Sequence, residues 1–123
     1  MKLRQIAVVG VAAAMLAAFG VNAAQTGPAP ERIIDNDTFR LMKITWMPGL
    51  KQDSLHPPPT KGGSLLVALT PGEIEVNFRQ NGKTWTEKGH VDVGKVWYLP
   101  LSLEHQFSNI GTQPFVFTST QIK

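Results

Sequence analysis

The chain contains no cysteine. That absence excludes a disulfide-stapled domain, a thiol nucleophile, and a lipid attached at a signal-site cysteine. Histidine is scarce as well: only His56, His90 and His105 occur, so an imidazole-based metal site would have few donors. No basic stripe runs along the sequence, and nucleic acid is therefore not an expected partner. No Ser-His-Asp arrangement with a recognisable elbow appears, and residues 60–63, Thr-Lys-Gly-Gly, do not meet the phosphate-loop pattern. Glu73 and Glu75 alternate with apolar residues. They therefore face outward and form a poor acid–base pair. Beyond the N-terminal segment there is no amphipathic helical period, no internal repeat, and no low-complexity tract except Pro57-Pro58-Pro59.

The N-terminus reads differently from the rest. Lys2 and Arg4 precede an uncharged apolar run of fourteen residues, 6–19, and Val21-Asn22-Ala23 places small residues where a signal peptidase reads them. The run is shorter than the roughly 20 residues that span a bilayer, and no basic stop-transfer cluster follows it. Residues 1–23 are thus expected to be a signal peptide cut after Ala23 or one residue later. The product is expected in the periplasm or outside the cell, with no stable membrane association. Without that segment, ten basic residues face nine acidic ones. The mature chain of roughly 100 residues must rely on a compact apolar core.

Residues 24–38 read as an extended arm or linker. Gly27, Pro28 and Pro30 interrupt its start, and the turn-forming cluster Asp35-Asn36-Asp37 closes it. From residue 39 onward, short strands alternate with tight turns. Residues 39–47 place Met42, Ile44 and Trp46 on one face. Residues 64–70 form an apolar strand expected to be buried on both faces. Residues 73–78 alternate strictly, with Ile74, Val76 and Phe78 pointing one way. Asn81-Gly82 then favours a type I′ hairpin, and the strand returns over 84–88 with Trp85 as its apolar anchor. Further strands are expected over 95–99, 105–109 and 115–122. Seven or so strands joined this way predict an all-β domain over residues 39–123, an antiparallel sandwich or barrel.

The stretch 94–109 carries a more specific pattern: Gly94, five residues, Pro100, four residues, His105, three residues, Asn109. It resembles the second conserved motif of the cupin superfamily, with Ser102 where a glycine is usual. The family's first motif begins with glycine, then His-x-His, a glutamate and a second glycine. Here Pro48-Gly49 and Pro71-Gly72 bracket the corresponding stretch, His56 stands at the first histidine, Pro58 at the second, and Leu65 at the glutamate. The layout is similar to that of small exported single-domain cupins. The resemblance implies a jelly-roll barrel of the RmlC-like type, with a degenerate metal-binding motif and a ligand cavity between its sheets. It also implies that His56 and His105 point into that cavity as two remaining metal ligands, and that homodimers form through sheet faces.

A transition metal usually takes three or four protein ligands, and two imidazoles provide a partial set for a divalent ion. His90, Asp53, Glu104 and Gln106 are the other donors to consider. The alternative for His105 is a core histidine hydrogen-bonded by Tyr98 or Asn109; for His56 it is a loop residue stacked on the prolines. Trp46 and Tyr98 are the expected aromatic cavity walls, because such lining suits a small organic ligand. Three functions follow. The first is a cavity that binds a small organic molecule, with metal weak or absent. The second is a metal-dependent oxygenase- or isomerase-type enzyme with a non-standard ligand set. The third is a non-catalytic interaction module that pairs a partner through its arm or a strand edge.

Overall fold

The computed structural model describes residues 27–123. The expected signal segment, residues 1–23, lies outside the described residues. Eight strands follow one another: β1 (Glu31–Asp35), β2 (Phe39–Trp46), β3 (Ser64–Ala68), β4 (Gly72–Gln80), β5 (Lys83–Val91), β6 (Val96–Leu99), β7 (Glu104–Asn109) and β8 (Phe115–Ile122). They form a five-stranded sheet in the order β1-β2-β8-β3-β6 and a three-stranded sheet in the order β5-β4-β7. All pairings are antiparallel, and no helix occurs among the described residues. This is the expected all-β jelly-roll barrel.

Period-two alternation builds the core. Met42, Ile44 and Trp46 of β2, Phe115 and Phe117 of β8, and Leu66 and Ala68 of β3 face inward from the large sheet. Ile74, Val76 and Phe78 of β4 with Phe107 of β7 face them from the small one, and all are buried. The expected hairpin is present: Asn81 and Gly82 both have positive φ, 53° and 76°, as a type I′ turn requires, and nothing lies near the position a Gly82 side chain would take.

Three expectations change. Residues 24–38 are not wholly an arm, because β1 pairs with β2 through a register shift between Arg32 and Ile34. All five β1 residues are exposed, so the strand has no hydrophobic alternation by which to be read. Its backbone bonds and the ion pairs of Asp35 with Arg40 and Lys123 hold it. The turn after it is the expected one, with the Asn36 carboxamide oxygen accepting from the Thr38 and Phe39 N–H groups at 2.8 and 3.0 Å. Strand β3 is buried on one face only: Leu65 and Val67 are half-buried, because no second layer among the described residues covers the outside of the large sheet. Trp85 is 40% exposed. It lies on the edge strand of the small sheet and stacks on Phe78, centroids 5.3 Å apart, at the rim of the core.

Candidate site at the His56–His105 pair

Strand β7 is the edge of the small sheet, and the loop after β2 runs antiparallel along it. Gly49 N–H donates to the Asn109 carbonyl, Asn109 N–H to Leu50, and Gln52 N–H to Phe107, each at 2.9 Å. Farther along, His56 and His105 exchange backbone hydrogen bonds of 3.1 and 2.9 Å. This pairing turns an irregular loop into a ninth, interrupted edge and delivers His56 beside His105. Asn109 anchors its start. The Asn109 carboxamide donates to the Trp46 and Gln113 carbonyls at 2.9 Å each and accepts from Gly111 N–H at 3.0 Å.

The two imidazole rings lie 4.5 Å apart, tilted by 53°. His56 Nδ1 faces the Ser54 carbonyl at 3.0 Å. A carbonyl only accepts, so Nδ1 carries the hydrogen and Nε2 presents a lone pair. The Gln52 carboxamide nitrogen donates to that lone pair at 3.1 Å, while the Gln52 carboxamide oxygen accepts from Phe107 N–H at 2.8 Å. Gln52 is thereby fixed in one orientation, and it is buried.

His105 is buried, and Phe107 meets it edge-on. Burial, reinforced by the nearby His56 and only partly offset by the Leu103 backbone, lowers its pKa from 6.5 to about 4. Apart from the Leu103 backbone, no polar group of the described residues pairs with its Nδ1, and the buried Ser64 Oγ and Gln121 Oε1 have no partner among the described residues. His105, His56, Gln52, Ser64 and Ser119 share a cavity of about 30 Å³, whose apolar walls include Trp46, Leu66, Leu99, Phe107 and Phe117. By the usual requirement of roughly 10–15 Å³ per water, that is room for about two waters.

Of the expected site residues, His56, His105 and Trp46 come together here. Tyr98 does not. It lies opposite Leu65 on the outer face of β6, is 53% exposed, and donates its hydroxyl to the Gly62 carbonyl at 2.7 Å. Its neighbours Trp97 and Leu99 take the inward positions, since alternation allows only one of each adjacent pair to face the cavity. Tyr98 and Asn109 are therefore not hydrogen-bond partners of the His105 ring. Leu65 also faces outward, so Ser64 and Leu66 are the β3 residues that reach the cavity. Gln52 and Ser64 escaped the sequence reading, because a polar residue in a loop or at a strand start carries no signal of burial.

The remaining donors are occupied elsewhere. Glu104 forms a bidentate pair with Arg79, and this partner holds its carboxyl below the usual range. His90 lies on the outer face of β5 between Glu73 and Asp92, at 2.7 and 3.1 Å. Gln106 accepts from Asn77 and donates to the Gln52 carbonyl, and Asp53 is exposed. No group of three or more metal-ligating side chains occurs among the described residues. With the His56 Nε2 lone pair already engaged by Gln52, the residues present do not fit a three- or four-ligand transition-metal site.

No protein-family model and no curated protein sequence matches the chain. Solved structures do. A cupin domain from Bordetella pertussis is 22% identical over 76% of this chain and 91% of its own, with a TM-score of 0.57. An RmlC-like cupin from Methanocaldococcus jannaschii with a double-stranded β-helix fold is 15% identical over 76% of this chain and 77% of its own, with a TM-score of 0.58. An oxalate decarboxylase variant from Bacillus subtilis is 24% identical over 70% of this chain but only 22% of its own, with a TM-score of 0.57. The chain therefore has the cupin fold.

Proposed function

We propose that this is an exported protein whose cupin barrel binds a small organic ligand in the cavity at the His56–His105 pair, without a tightly held metal. One observation carries the reading: Ser64 Oγ is buried without a partner among the described residues, in a residue that lines the same cavity as the buried, neutral His105. A buried polar atom left unpaired costs about 1–3 kcal/mol, and a ligand that pairs with it recovers that cost. Around them the network is closed, since Gln52 and His56 satisfy one another. The incomplete donor set favours this reading over a metal-dependent oxygenase or isomerase.

The test follows the imidazole Cε1–H resonances of His56 and His105 by NMR while a library of very small polar molecules is titrated in. Saturable shifts of these two resonances, with His90 unmoved, are expected for at least one chemical class. If no compound moves them, the cavity is a packing feature and the reading fails.

A further inference from the structure

We infer that the ligand of this cavity is an uncharged molecule of about two to four non-hydrogen atoms, combining one hydrogen-bonding group with a small apolar part. The inference rests on the cavity being a binding site, and it adds the charge and size of what is bound.

The lining contains no Lys, Arg, Asp or Glu. The Arg79–Glu104 ion pair, next to His105 in the chain, is closed on itself and faces solvent. An anion entering the cavity would lose its hydration and meet no Lys or Arg, while both ring nitrogens of His56 are already engaged, and burial of an unpaired charge is strongly unfavourable. His105 does not supply that charge at neutral pH, because its burial keeps it neutral. An organic cation fares no better, since no carboxylate faces it. An uncharged molecule meets neither difficulty. It can hydrogen-bond within the polar part of the lining, where Ser64 Oγ has no partner among the described residues, while Leu66 and Phe107 cover its apolar side. Size follows from the volume, about 30 Å³, which matches roughly two waters.

An isosteric pair separates charge from shape. Formamide and formate have the same three-heavy-atom skeleton and differ in charge at pH 7. Each is titrated into the purified protein, and binding is read on the His56 and His105 Cε1–H resonances; acetamide and acetate repeat the comparison one methyl group larger. Formamide is expected to bind at least about tenfold more tightly than formate, from the desolvation of an unpaired anion. If formate binds as tightly as formamide at these resonances, the cavity is a ligand site but its selection for neutral molecules is wrong. If neither member of either pair moves them, the inference fails, and the wider titration decides separately whether the cavity binds any small molecule.

Discussion

His56 and His105 face one another across a two-way backbone bridge, each N–H donating to the other's carbonyl, with their rings 4.5 Å apart. One histidine comes from an irregular loop and the other from a regular strand. The backbone bridge by itself places the two side chains next to each other. Yet the two rings differ in surroundings: His56 is half-buried with both ring nitrogens engaged, whereas His105 is buried.

Acid stability follows from that difference. Burial holds the folded-state pKa of His105 down, from 6.5 to about 4. Between those values the unfolded chain binds a proton that the folded chain does not. Stability is therefore fully present above about pH 6.5 and falls as pH drops toward 4, by about 3 kcal/mol in all. Asp35, held below its usual range chiefly by Lys123, and Glu104, held down by Arg79, lose their contributions only at still lower pH. His90 is shifted upward, first by Glu73. Its contribution is complete below its unfolded pKa and is lost as pH rises through the folded value. Urea unfolding between pH 7 and 5 should thus show a falling midpoint that His105→Gln flattens and His90→Gln does not. An unchanged slope in His105→Gln would count against a buried neutral His105.

Metal affinity should report which β3 residues face the cavity. Ser64→Glu adds a carboxylate beside the two imidazoles and should raise nickel affinity at least about tenfold over the unmodified chain. Leu65→Glu places the same group on the outer face and should leave affinity unchanged. Calorimetric titration compares the two, and melting with and without nickel shows whether each variant remains folded. A gain in Leu65→Glu alone would reverse the assignment of faces.

Two glycines should respond differently to alanine. Gly82 has open space around it, so Gly82→Ala costs only the positive φ, about 1–2 kcal/mol. Gly63 also has positive φ, but an added side chain would collide with the Leu99 carbonyl. Gly63→Ala should therefore melt well below Gly82→Ala, and Gly82→Val should melt below wild type as well. Equal melting temperatures for the two alanine variants would contradict the close approach at Gly63.

Asn109 joins the end of β2 to the 110–114 turn through three side-chain hydrogen bonds. Asn109→Ala leaves the Trp46 carbonyl and its companions without that partner. A loss of about 2–4 kcal/mol is expected from denaturant unfolding. A loss under about 0.5 kcal/mol, the range of ordinary surface changes, would show that water replaces the side chain freely.

Export is tested by mass. The mature protein is expected to begin at Ala24 or Gln25, and intact-mass measurement of periplasmic material reads this directly. A species retaining residues 1–21 would overturn the exported assignment.

Alternation and turn chemistry were enough to read most of the barrel. The run Ile74, Val76, Phe78 and the pair Asn81-Gly82 each select one local geometry, because side-chain direction in a strand and positive φ in a turn are local properties. The spacing from Gly94 to Asn109 likewise pointed to the fold and to His105. What the sequence left open depended on contacts between distant segments. Strand β1 buries nothing and exists because β2 offers it an edge. Tyr98 and Leu65 face outward because the register of β3 against β6 decides which of two adjacent side chains points inward. Gln52 is a site residue only because its loop pairs with β7, 55 positions away. The convergence of His56 on His105 has the same origin: hydrogen bonding along a sheet edge links residues whose separation in the chain carries no local signature.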